Sequence, residues 1–395
     1  MNHMNYTKPR NTRNVLMCLS AAISLAAPGT LIADSGYKLK PSISAFAIHD
    51  DNVFYTYHDK QSASIIRLTP SIEIEYEKQN LMWNAVYRID AEEYTNIRTI
   101  DSGIVRRFAD ASVEYLPTSR LTLGADLGYT KTDTPADLSL VPGESTPGLL
   151  LGRINAERLT ATPYIDYRLS PRIKGRLSYT HTEDNISDVL ETDIRRAAID
   201  MEHMLTPATT MVYGYFYRNV QYDEVASSPS NPDGQTSDSS GTTWLGLSHQ
   251  LTPTTNTTVR AGVRSADGSS APYWMFSVQR EYQAGEINIG FERNETTAPG
   301  TTGSQEFETL TASISYRSGL NWLVTVTPSY AKVTQRSGEQ KVYRLSVEAT
   351  YRISNSWFLT ASYERNYQPV DFAEITDEVI DRNVGIVGIT YALSN

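Results

Sequence analysis

The residues able to do chemistry in this chain are its histidines and its charged side chains, and their spacing decides which chemistry is open to them. His49-Asp50-Asp51, His58, His181, His203 and His249 stand among many serines, the raw material of a hydrolase. No Gly-x-Ser-x-Gly elbow and no His-Glu-x-x-His pair organises them, and they fall on separate segments, so catalysis has no constellation behind it. The charged residues are ordered differently. In Leu81–Glu92, Leu81, Trp83, Ala85, Tyr87 and Ile89 share one face of an extended chain while Asn84, Arg88, Asp90 and Glu92 share the other, and Lys341–Tyr351 repeats the beat.

Carried along the chain, this period of two gathers Arg67, Arg88, Asp90, Glu92, Arg106, Asp110, Asp126, Tyr164, Asp166, Arg176, Arg196, Asp200, Arg218, Arg260, Arg264, Glu292, Arg344 and Glu348 on one surface. Phe108, Phe216 and Phe358 join Tyr164 there, with faces able to stack on sugar rings or to pack against the wall. Both charge signs are interspersed. Such a surface is either a wet wall of cross-strand ion pairs or a polar conduit that binds a hydrated solute weakly enough to release it.

The elements that must position these residues are strands. Periodicity and turn residues divide the chain into eighteen segments, from 42–50 at one end to 381–393 at the other, with the tenth over 242–252. Short connections such as Lys78-Gln79, Ser170-Pro171 and Thr252-Pro253-Thr254 follow even-numbered segments. Longer ones, Thr132–Arg153, Glu183–Thr192, Asp223–Gly241, Asn294–Gln305 and Gln368–Ile380, follow odd-numbered ones. Short periplasmic turns and long extracellular loops give this asymmetry, which puts both termini in the periplasm. Leu169-Ser170-Pro171, Leu205-Thr206-Pro207 and Leu251-Thr252-Pro253 repeat one turn motif, with Leu116-Pro117-Thr118 a variant.

Aromatics on the apolar face form two belts. Tyr76, Tyr115, Tyr167, Tyr316, Tyr351, Trp322 and Trp357 lie beside the short turns, and Tyr129, Tyr179, Tyr217, Tyr330, Tyr343 and Tyr363 lie further along their segments. The separation is about eight residues, or roughly 20 Å of membrane normal for a tilted strand, close to the ~25 Å apolar band of outer-membrane barrels. The fold expected is therefore all-β: a transmembrane up-and-down antiparallel β-barrel of about eighteen strands over 42–395. Pro70, Pro163 and Pro328 fall inside strands of a sheet with no edge to hide them, and β-bulges are expected there.

At the N-terminus, Lys8, Arg10 and Arg13 precede the apolar run Val15–Ala27, which reads as a signal peptide over 1–33 followed by a short tail over 34–41. Met17 stands where a lipidated Cys18 would require a small residue. Without residues 1–33 the chain keeps 32 basic and 45 acidic side chains and no cysteine, which disfavours nucleic acid as a partner and leaves no thiol or disulfide chemistry. No cofactor is expected. Nor does any later segment approach the run of about 18 apolar residues that a spanning helix needs. Acidic clusters, Glu183, Asp184, Asp188, Glu191 and Asp193 in one loop and Asp371, Glu374, Asp377, Glu378 and Asp381 in another, read as solvated surface, or as ligands for cations bridging to lipopolysaccharide.

Asp51-Asn52-Val53-Phe54-Tyr55, Leu68-Thr69-Pro70-Ser71-Ile72, Trp83–Asp90 with Glu93-Tyr94, and then Asp101 resemble the outer-membrane β-barrel proteins of exopolysaccharide biosynthesis and export operons. The resemblance covers roughly residues 45 to 130. It implies a polar conduit that exports a polysaccharide together with a periplasmic polysaccharide-export protein docked on the short turns. The last strand, Gly388-Ile-Thr-Tyr391-Ala-Leu393, resembles the C-terminal signal handed to the barrel assembly machinery, although no terminal phenylalanine follows. The lumen pattern alone suits a general or substrate-specific passive diffusion porin equally well, and an outer-membrane hydrolase less well. Asp223–Gly241 is the one long candidate for a constriction loop.

Overall fold

The computed structural model describes residues 36–97, 100, 103–134, 153–186, 190–223, 237–266, 269–296, 305–335, 338–372 and 375–393. Its elements are β1 (Tyr37–Asp50), β2 (Ala63–Lys78), β3 (Leu81–Tyr94), β4 (Gly103–Thr118), β5 (Leu121–Thr132), β6 (Ala156–Ser170), β7 (Ile173–Ile186), β8 (Leu190–Thr206) and β9 (Thr209–Asp223). They continue as β10 (Ser237–Thr252), β11 (Thr255–Ala266), β12 (Ser269–Tyr282), β13 (Gly285–Thr296), β14 (Gln305–Ser318), β15 (Trp322–Gln335), β16 (Gly338–Arg352), β17 (Trp357–Phe372) and β18 (Ile375–Ala392). Each strand pairs antiparallel with its neighbours in sequence, and β1 pairs with β18 from Ser42 opposite Ala392 to Asp50 opposite Val384. The sheet closes on itself as an eighteen-stranded up-and-down barrel, so backbone polar groups find partners without water. The segment read as a signal peptide lies outside the described residues. The tail expected over 34–41 is corrected in part: β1 begins at Tyr37, which pairs with Tyr76.

The outward face is apolar and exposed, as a lipid-facing wall must be, with Leu127, Leu177, Leu245, Val263 and Val387 each more than half accessible. Beside the short turns Tyr37, Tyr76 and Trp83 cluster, Trp322 meets Tyr351 at 4.7 Å and Trp357 meets Tyr391 at 4.9 Å; Tyr115, Tyr167 and Tyr316 stand exposed on the same side. Further along the strands Tyr330 meets Tyr343 at 5.1 Å, while Tyr179, Tyr217 and Tyr363 are exposed and Tyr129 half-buried. Beyond that second set the outward face carries ion pairs instead of aliphatics: Lys131–Glu157, Arg195–Asp193, Lys332–Glu339 and Arg365–Asp381. The change from tyrosine to paired charge marks where hydrocarbon gives way to water.

Three expectations change. Parts of the segments read as long loops are strand: β7 runs to Ile186, β10 starts at Ser237 and β17 and β18 extend to Phe372 and from Ile375, while residues 135–152, 224–236 and 297–304 lie outside the described residues. Outside the membrane both faces of a strand are polar, so the alternating signal vanishes while the ladder continues. Second, Pro70, Pro163 and Pro328 make no bulge. The ladder skips from Leu68–Ala91 to Ser71–Arg88, from Ala161–His181 to Tyr164–Ser178 and from Thr311–Ser329 to Ile314–Val326 without a change of register. Each proline pairs on its other side, opposite Ile43, Ala125 and Leu345, so the lost donor is absorbed as a local gap. Third, four register shifts sit beside the Leu-Ser/Thr-Pro turns and their Leu116-Pro117-Thr118 variant, between Tyr115 and Thr118, Arg168 and Ser170, Met204 and Thr206, and Gln250 and Thr252, and two more lie between Asp90 and Ala91 and between Val370 and Phe372. Leu169, Leu205 and Leu251 stay exposed on the outward face that strand alternation gives them, while Ser170 Oγ accepts the amides of Arg172 and Ile173.

Candidate functional site

The candidate site is the inner wall. Strand parity opposite to the exposed aliphatics puts Arg67, Arg88, Asp90, Glu92, Arg106, Asp110, Asp126, Tyr164, Asp166, Arg176, Arg196, Asp200, Arg218, Arg260, Arg264, Glu292, Arg344 and Glu348 on it. The structure draws some of them into networks. Arg67 and Arg106 reach Glu92 at 2.6 and 3.4 Å, Arg106 reaches Asp90 at 3.7 Å, and Thr69 donates to Asp90 at 2.9 Å. Arg176 grips Asp166 with two bonds of 2.6 and 2.7 Å. Arg264 lies 3.7 Å from Glu295, and Arg344 donates to Asn366 at 2.7 Å. Glu292 and Glu348 accept from Asn294 and Thr350. Arg218 is buried on β9. Asp110 and Asp126 face the lumen with no ion pair among the described residues.

Three of the inward aromatics are covered, while Phe358 is half-buried. Arg88 lies 4.1 Å over Phe108, Arg176 4.4 Å over Tyr164 and Arg196 4.0 Å over Phe216, and the Tyr164 hydroxyl donates to Glu114 at 2.6 Å. Trp244 and Tyr273, which sequence reasoning passed over, belong to the same wall: Arg260 lies 4.4 Å over Trp244, and Phe216 meets Tyr273 edge to face. The signal was present in Thr242-Thr243-Trp244-Leu245-Gly246-Leu247, where Leu245 and Leu247 take the lipid side and leave tryptophan inside.

Accessibility along the wall is graded. Toward the short turns the inward side chains are open, as at Glu77, Met82, Asp126 and Glu202. Toward the long connections they are closed off: Arg158, Thr182, Val220, Thr242, Val333 and Asn366 are all fully buried. Arg158 is held there by two bonds of 2.6 Å to Asp184, a residue whose acidic neighbourhood reads from sequence as solvated loop.

Part of this closure comes from an unexpected element. The connection between β1 and β2, residues 51–62, folds inward, and Val53 packs with Ile48, Ile65, Tyr94 and Val384, against Phe54, Ile97 and Ile100. Asn52 is fully buried, accepts the Thr56 amide at 3.0 Å and donates to the carbonyls of Thr56 and Asp381. Asp50 binds Arg382 through three contacts of 2.7–3.1 Å, Arg382 covers the Tyr55 ring at 4.5 Å, and Asp51 accepts from Asn383. Tyr55 takes a positive φ of 58° to make the turn. Asp223–Gly241, the one long candidate for a constriction loop, lies mostly outside the described residues, at 224–236; the inward-folding element that the structure does describe is the shorter connection 51–62.

Among the histidines, His181 contacts Glu183 at 2.9 Å and Asp193 at 3.3 Å on the outward face, and His249 bonds Thr209. No metal-binding group of three His, Cys, Asp or Glu is present among the described residues.

No family model and no curated protein matches the sequence. Solved structures do. A variant of the ferric enterobactin receptor of Pseudomonas aeruginosa, in complex with enterobactin, aligns over 91% of this chain and 82% of its own at 10% identity, with a TM-score of 0.50. OccAB4 of Acinetobacter baumannii aligns over 91% and 99% at 11% identity with a TM-score of 0.47, and the outer membrane protein OpdK of P. aeruginosa over 90% and 98% at 10% identity with a TM-score of 0.48. The shared feature is the fold. Closed barrel, apolar exterior and tyrosine boundaries make this chain a bacterial outer-membrane barrel in contact with lipid and lipopolysaccharide.

Proposed function

We propose that the barrel is a passive diffusion channel that admits small hydrated solutes. The observation that carries this reading is the inner wall: eighteen strands enclose a lumen too wide for side chains to fill, and charges and hydroxyls line it from the open short-turn end to the narrowed long-connection end. Both described termini leave at the short-turn end, which this reading sets in the periplasm. The purified barrel in a planar bilayer is expected to give steady open conductance without any partner. A barrel that stays closed under every applied potential would remove the reading.

Polysaccharide export with a periplasmic partner is the second reading, supported by the resemblance over roughly residues 45 to 130. Deletion of the gene separates the two. Loss of surface polysaccharide with normal small-solute permeability favours export, and the reverse favours the channel.

A further inference from the structure

We propose that Arg196 and Arg260 form a carboxylate-binding station on the inner wall, used by acidic solutes in transit; the proposal rests on the channel reading above. Other inward arginines are already engaged by carboxylates: Arg67 and Arg106 by Glu92, Arg158 by Asp184 and Arg176 by Asp166. Arg196 and Arg260 have no carboxylate within ion-pair distance among the described residues. Each lies instead on an aromatic face, Arg196 over Phe216 at 4.0 Å and Arg260 over Trp244 at 4.4 Å.

The rings serve as a base, not as a ligand surface. Phe216, Trp244 and Tyr273 are each 5% exposed and pack together with Ala198 and Val212. Sugar stacking on them is therefore closed off, and the guanidinium groups are what the lumen meets. Glycines let these large side chains lie flat: a Cβ on Gly214 would stand 2.8 Å from the Trp244 ring, and one on Gly246 2.9 Å from the Arg260 stem. Held this way, each guanidinium loses little rotamer freedom when a ligand arrives.

The donor inventory points the same way. The Nε atoms of Arg196 and Arg260 are turned into the wall and Arg260 also donates to the Tyr273 hydroxyl, while both side chains remain partly accessible, so their outer nitrogens are the donors left for the lumen. A planar carboxylate fits the guanidinium fork with two parallel bonds. Asp200 lies within electrostatic reach of both arginines and of Arg176, without a close ion pair to either station residue. It supplies a competing negative charge that keeps occupancy brief, as conduction requires.

The test is calorimetric titration of the folded, detergent-solubilised barrel with D-glucuronate, D-glucose and inorganic phosphate. Glucuronate is expected to bind, glucose not to, and phosphate to compete with glucuronate, because the fork matches phosphate oxygens as well as a carboxylate. Arg196→Gln with Arg260→Gln should weaken glucuronate binding by about tenfold or more, the scale of one lost charge-assisted bond. Asp200→Asn should tighten it. Should the double variant fail to fold, Arg260→Lys keeps charge and stem but loses the fork, and should still weaken binding. Equal binding of glucose, failure of phosphate to compete, or unchanged affinity in these variants overturns the proposal. The measurement is independent of conductance: a barrel that binds glucuronate yet never conducts overturns the channel reading alone.

Discussion

At the scale of single residues, the inner wall is shaped as much by what is missing as by what is present. Gly262 lies beside Trp244, and a Cβ there would stand 2.2 Å from the Thr243 carbonyl oxygen; one on Gly246 would stand 2.1 Å from that of Val259. Backbone atoms of a paired strand cannot swing aside. Gly262→Ala is therefore expected to destabilise the barrel by about 1–3 kcal/mol, the usual cost of forced overpacking, read as a lower urea midpoint for unfolding from micelles. Gly385→Ala is the control. Its Cβ would meet nothing within 4 Å, so it should change stability by no more than about 0.5 kcal/mol. Equal losses at the two positions would show that strand propensity, not close approach, governs these sites.

At the scale of elements, the β1–β2 connection behaves as part of the wall. Asp50 is 1% exposed and its carboxylate is committed to Arg382 on β18, so the clasp spans the seam where the first and last strands meet. Asp50→Asn leaves a buried guanidinium without its counter-charge, a loss of about 3–5 kcal/mol when a buried pair is broken from one side. The expected outcome is a lower thermal midpoint together with faster proteolysis within residues 51–62; a stable loop in the variant would show that Val53 and its apolar neighbours hold the element alone. The sequence exposed this element only in part. Asp51-Asn52-Val53-Phe54-Tyr55 stood out as a motif, but its partners Arg382 and Asn383 lie at the far end of the chain, and only barrel closure brings them together. Strand identity was legible wherever lipid enforces alternation, as in β3 and β16, and parity there assigns the inner and outer faces. It faded where the outward face meets water and the inward face carries buried polar side chains such as Asp238, Ser240, Asn366 and Gln368, which hid the outer reaches of β10, β17 and β18. The prolines misled because a wide sheet tolerates a gap of one or two pairs at lower cost than a change of register.

At the scale of the whole molecule, the barrel is a funnel in accessibility. Inward groups are open near the short turns and buried near the long connections, although the strand count alone would give a lumen of even width. Conductance through such a shape is set by its narrow end, where Val53, Ile65, Tyr94 and Val384 form an apolar cluster inside the wall. Replacing residues 52–61 with a short Gly-Ser turn removes Val53 and Phe54 from that cluster while leaving the β1–β2 and β1–β18 ladders in place. Single-channel conductance in a planar bilayer should then rise, and any difference in current between the two polarities should shrink, because the asymmetry of the pore resides at one mouth. Thermal stability should fall at the same time through the lost burial of Ile48, Ile65 and Val384. Unchanged conductance in a folded replacement would place the limiting constriction deeper, at the level of Arg196 and Arg260, where charge and not apolar packing would select what passes.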